Sequence, residues 1–145
     1  MESQATYDDV NLVLRLFELR REARMRTARE WFAKNFKAAN LDEMATLCPL
    51  GSEESASARM VISYWEMVAS FVTSGVLNRD LFFQSGGEML FVWERFKHLL
   101  PETRNRYKNP TLYRNLETVA NSYIQWMNRN APEAYEALSA RVRGM

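Results

Sequence analysis

Residues 56 to 74 would leave a helix almost no polar side to turn toward water. At about 100° per residue, Arg59, Ser63, Glu66, Ser70 and Thr73 fall within an arc of roughly 80°. Met60, Val61, Ile62, Tyr64, Trp65, Met67, Val68, Ala69, Phe71 and Val72 occupy nearly all the remainder. A surface helix carries an apolar stripe of somewhat over about 100°, and this segment has more than twice that. It must be covered by neighbours on several sides, so the chain is expected to be an all-α, multi-helix bundle built around it. Ser52 is the predicted N-cap, with Glu53 and Glu54 in the first turn, where carboxylates meet the positive helix end. Gly75 is placed to close the helix in the left-handed conformation.

Asn78 reads as the cap of a second helix with Asp80 in its first turn. The expected core is therefore a helical hairpin over about 52–74 and 78–100. In the second arm Leu81, Phe82, Met89, Val92, Trp93, Phe96, Leu99 and Leu100 share one face. Gln84, Glu88, Arg95 and His98 share the other, with Phe91 among them. Gly86-Gly87 falls mid-arm, at about 1 kcal/mol per glycine relative to alanine. A close helix crossing or a local break explains it better than a backbone opened for a ligand.

The flanking segments are also helical in pattern. Thr6 and Asp9 form a capping pair for a first helix whose predicted apolar face is Val10, Val13, Leu14 and Phe17, widened by Leu12, Leu16 and Leu19. Met25, Ala28, Trp31, Phe32 and Phe36 follow, and the polar Arg20-Arg21-Glu22 predicts a break near residues 20 to 25. Asn40 caps a short helix ending at Cys48-Pro49-Leu50-Gly51. Leu100-Pro101 predicts a fresh short helix over 101 to 107. Asn109-Pro110 predicts the start of an amphipathic helix with Leu112, Leu116, Val119, Tyr123 and Met127 on one face. Asn130, Pro132 and Glu133 are expected to open a last helix carrying Tyr135, Leu138 and Val142 inward.

At 145 residues the chain is expected to be one domain, 1–145. Five Gly and four Pro are too few for a turn-rich β fold. A single cysteine, Cys48, rules out an internal disulfide and suits a reducing compartment, so a cytoplasmic location is expected. The start Met1-Glu2-Ser3-Gln4 has neither the basic residues nor the apolar run of a signal peptide. No apolar run approaches membrane-spanning length.

Catalytic chemistry finds little purchase. His98 is the single histidine, which removes a His-based metal site or triad, and it is expected at the surface. No glycine-rich phosphate loop is present. No cofactor, catalytic residue or metal ligand is predicted. Residues 15 to 37 hold six Arg and two Lys against Glu18, Glu22 and Glu30. Nucleic-acid binding through this segment is the weaker reading, because its charges scatter around the helix and Glu22→Arg26 and Glu30→Lys34 have favourable pairing order. Trp31, Trp65, Trp93 and Trp126 at helical spacing are expected in the core. Glu66 and Arg59, on the polar strip of the central helix, form a candidate polar site for a small molecule.

The set Tyr64-Trp65-Glu66, Gly75, Asp80-Leu81, Trp93 and Leu100-Pro101 resembles a bacterial family of small helical domains of unknown function. The resemblance covers roughly residues 24 to 126 and is best over 60 to 101. Members often carry an N-terminal membrane helix, none is expected in this sequence, and the resemblance implies no activity. The expected function is a non-catalytic interaction or regulatory module with a protein partner or self-association. Phe91, an aromatic ringed by polar groups, is the candidate interface anchor; the alternative is a small-molecule-binding or enzymatic bundle with its polar site near Glu66.

Overall fold

The computed structural model describes residues 4–144. Within them the chain is helical, with no strand. In order, the helices are α1 (Tyr7–Arg21), α2 (Ala23–Asn35), α3 (Leu41–Leu47), α4 (Glu53–Thr73), α5 (Arg79–Phe83), α6 (Gly87–Phe96), α7 (Leu100–Tyr107), α8 (Arg114–Asn130) and α9 (Ala134–Gly144). A 3-10 turn over Lys97–Leu99 joins α6 to α7.

Helix α4 is the hub. Its most extensive neighbours are α8 and α2, one on either side. Ala58, Val61, Ile62, Tyr64, Trp65, Val68 and Ala69 are buried between them. Ser52 caps it by accepting from the Ser55 N–H, and Gly75 leaves it at φ 82°. The expected break lies at Glu22, whose φ/ψ of −59°/143° separates α1 from α2. Glu22 serves the new helix rather than an Arg26 ion pair. Its carboxylate accepts from the Arg24 and Met25 N–H groups, and those bonds hold its pKa below the usual value.

The second arm of the expected hairpin is not one helix. It is α5, a break at Gln84–Gly86, α6 and the 3-10 turn, and its arms meet each other far less than α4 meets α8. The break needs a glycine at position 86, where a Cβ would lie 2.6 Å from the Phe82 ring. The inward face read from the sequence holds in α6, where Met89, Val92, Trp93 and Phe96 are buried, but the outward face is wrong at Arg95. Arg95 is buried, as are Glu94 and Leu90, and α6 is covered nearly all round by α8, α9 and α4.

Helix α8 starts at Arg114 rather than after Pro110. Asn109 accepts from Thr111 in a tight turn, and Tyr113 takes a left-handed conformation at φ 58° before the helix begins. Asn130 closes α8, donating to the Trp126 carbonyl, and does not open α9. Helix α9 is tied to α6 through Glu94. That buried carboxylate accepts from the Tyr135 hydroxyl, from Lys97 Nζ at 3.0 Å and from Ser139 Oγ at 2.9 Å.

Candidate functional site

Helix α1 has apolar residues on two faces, and the bundle covers only one. Thr6 caps it in a reciprocal box with Asp9. The other Asp9 oxygen accepts from the Asn78 N–H at 2.8 Å, which fastens the start of α1 to the turn after α4. These bonds hold the Asp9 carboxyl below its ordinary pKa. Two helical turns further on, Tyr64 donates to the Leu16 carbonyl at 2.6 Å, and burial pushes the Tyr64 phenol up to about 12. At the far end Arg20 reaches Glu88 of α6 at 3.2 Å. Arg29 of α2 grips the same carboxylate with Nε and Nη2, the closest contact being 2.7 Å, and also donates to the Arg20 carbonyl. Asp9, Leu16 and Arg20 thus fix which side of α1 faces inward.

That phase differs from the one read off the sequence. Val10, Leu14 and Phe17, expected in the core, are 41%, 57% and 44% exposed, and Tyr7 on the same line is 78% exposed. The four span roughly 80° of the helix circumference. Their spacing of three, four and three residues is that of a coiled-coil seam. Local polar pairing decided the orientation: a carboxylate and a guanidinium found partners in other helices, and turning Val10 and Leu14 inward would strand both.

Beside the seam lies a cleft lined by Val13, Leu16, Phe17, Arg20, Trp65 and Phe82. Its volume is about 20 Å³, room for a single water. The Arg20 guanidinium roofs it, 4.3 Å from the Phe17 ring centre and 5.2 Å from that of Trp65. The buried Trp65 indole N–H has no protein acceptor.

The sequence-predicted candidates lie elsewhere. Phe91 is half-buried against the core, with the Arg95 guanidinium 4.7 Å from its ring centre. Glu66 and Arg59 are not brought together by any hydrogen bond or ion pair. Glu66 accepts from the Leu116 N–H at 2.9 Å and from Asn115 Nδ2 at 2.8 Å, while Arg59 is exposed. Glu66 therefore caps α8, whose N-cap residue Tyr113 offers no side-chain acceptor. His98 is exposed with Nε2 2.6 Å from the Ala38 carbonyl. Burial raises the Cys48 thiol pKa, and Glu54 adds to the shift. Among the described residues no group of three or more His, Cys, Asp or Glu is placed to hold a metal ion. No helix among them is long and apolar enough to cross a membrane.

Residues 5–126, from just before α1 to near the end of α8, match the sequence model of a family described as a domain of unknown function, DUF4760. The chain belongs to that family. The match begins nearly twenty residues earlier than the resemblance read from the sequence and so takes in all of α1 and its seam, whereas α9 lies beyond it. No curated protein matches the chain. No solved structure matches it either.

Proposed function

We propose that this DUF4760 domain is a non-catalytic helical interaction module that works in the cytoplasm and docks a protein through α1. The supporting observation is the seam itself. A bundle that buries one side of α4 and most of α6 leaves four apolar side chains aligned on one exposed helix face. Scattered surface hydrophobics need no explanation, but a contiguous stripe marks an interaction site. The seam is a better docking surface than Phe91, whose ring already contacts Arg95 and the core. Binding of nucleic acid through residues 15 to 37 has less support, because Arg20 and Arg29 converge on Glu88.

The test is the stability of seam variants. Tyr7→Glu and Leu14→Glu, at the two most exposed positions of the seam, should each change unfolding free energy by no more than about 0.5 kcal/mol, as surface substitutions do. Chemical denaturation at low protein concentration measures it. A loss above about 2 kcal/mol would place the seam in the monomer's own core, and the docking reading would fail.

A further inference from the structure

We propose that α9 is a displaceable arm, which undocks from α6 as a unit while the rest of the bundle stays folded, and so uncovers the buried Glu94 carboxylate. The inference is independent of the docking reading for α1. Burial, the character of the tie and the joint to α8 carry it.

Burial comes first. In the eleven residues of α9 only Ser139 and Val142 are buried, and Ala134, Tyr135 and Leu138 are half-buried. Val142 is thus its single buried aliphatic side chain. The helix beneath it is different: Met89, Leu90, Val92, Trp93 and Phe96 of α6 are all buried. Apolar burial is the main force that holds a helix to a bundle. Segments with few buried apolar contacts are the ones that open locally.

The tie is polar instead. Among the described residues, the side-chain hydrogen bonds from α9 to the other helices converge on Glu94 and Lys97. Tyr135 donates to one oxygen of Glu94 and Ser139 to the other at 2.9 Å. Lys97 bridges Glu94 at 3.0 Å and the Tyr135 hydroxyl at 3.2 Å. A carboxylate held in this way has given up its water, and undocking returns that water, which offsets much of what the lost bonds contributed. Lys97 is part-exposed and three residues from Glu94, so the ion pair stays with α6 when α9 leaves. No buried charge is stranded by the opening.

The joint permits the motion. Ala131, Pro132 and Glu133 are exposed. The Ala131 N–H is held by the Met127 carbonyl of α8 at 2.7 Å, and the Ala134 N–H by the Ala131 carbonyl. Pro132 has no N–H to lose. Turning at this joint therefore breaks no backbone hydrogen bond to α6. The match to the family also ends at residue 126, so α9 lies outside the shared sequence pattern. Freed from α6, a helix this short is marginal in water. The arm therefore has two states, docked and helical or undocked and melted.

Hydrogen exchange of the full chain, read by mass spectrometry, tests the proposal. The amides of α9 should exchange as one block, at least about 100-fold faster than the buried amides of α4. Tyr135→Phe removes one donor to Glu94 and should speed that block about tenfold while α4 is unchanged. Val142→Cys, in a chain carrying Cys48→Ala, reads the uncovering itself. Its thiol should be modified by a small alkylating reagent at the rate at which α9 exchanges. Protection of α9 equal to that of α4 would overturn the arm. So would a Tyr135→Phe chain in which α4 and α9 speed up together, or one in which α9 does not change. If α9 exchanges while the Val142→Cys thiol stays unmodified, the helix frays in place and Glu94 is never uncovered.

Discussion

Replacing Glu66 with alanine should loosen the contact between α4 and α8 without touching any apolar side chain. Glu66 is half-buried and accepts two hydrogen bonds, from the Leu116 N–H and from Asn115 Nδ2. The first satisfies a donor in the opening turn of α8, where no intrahelical partner exists. Tyr113, at the N-cap, provides no side-chain substitute. Loss of an N-cap acceptor costs about 0.5–2 kcal/mol. A hydrogen bond to a charged group contributes about 1.5–3 kcal/mol, and an N–H left unpaired beside the buried Leu116 adds to the loss. The acceptor is part-exposed and the Asn115 amide can turn to water, so the lower halves of these ranges apply. The expected loss for Glu66→Ala is about 2 kcal/mol, or roughly 4–8 °C in Tm for a chain of this size. Glu66→Gln, which keeps one acceptor, should lose about half as much. Asn115 also accepts from Thr73 at 2.7 Å, so Glu66→Ala and Asn115→Ala should be non-additive. Urea denaturation followed by circular dichroism measures all of this, with an unchanged slope as the control. A loss below about 0.5 kcal/mol would mean that water replaces Glu66 at the head of α8, and the capping argument would be refuted.

The adjacent glycines should respond with opposite signs. Gly86→Ala puts a methyl 2.6 Å from the buried Phe82 ring and should cost about 1–3 kcal/mol. Gly87→Ala meets nothing nearer than the Tyr123 hydroxyl at 4.0 Å and should stabilise by about 0.4–1 kcal/mol; two losses in urea denaturation would contradict the assignment. Burial alone would raise the Glu94 pKa, but the bonds from Tyr135, Lys97 and Ser139 outweigh it, and the net shift is downward from 4.5. A depressed carboxyl contributes stability that is complete above its unfolded value and lost as pH falls through the folded one. The urea midpoint should therefore drop below about pH 4.5 more steeply in wild type than in Glu94→Gln, and parallel curves would sink the account.

Where a signal was local, the sequence carried it. The caps at Thr6, Asn40, Ser52 and Asn78 all accept from the backbone N–H three residues on, because an N-cap needs only its own first turn. The break at Glu22 and the left-handed Gly75 were legible for the same reason. The buried state of α4 followed from composition around its circumference. The interruption between α5 and α6 was half-legible: Gly86-Gly87 marked the place, but the close approach of the Phe82 ring that excludes a Cβ at Gly86 is a packing contact no local pattern gives. Glu66 stood out in the sequence as a carboxylate on the polar strip of a largely buried helix, but which groups it meets did not. Its acceptors meet Leu116 and Asn115, about fifty residues away, and no local pattern encodes that.

The phase of α1 was the hardest to read, and it determines what the domain can do. Val10, Leu14 and Phe17 form as good an inward face as Leu12, Val13 and Leu16, so hydrophobic periodicity cannot choose between them. The choice was made by two polar residues on the second face. Asp9 is fixed by the Asn78 N–H and Arg20 by Glu88, and each partner lies nearly seventy residues away. With those bonds formed, Leu16 is buried and the helix cannot roll. The more amphipathic a first helix with two apolar faces, the stronger the expectation that both are covered. Here the bundle covers one, and the other keeps an unbroken coiled-coil spacing. A face left over from folding would have no reason to keep that spacing, which is what supports the reading of α1 as a docking face.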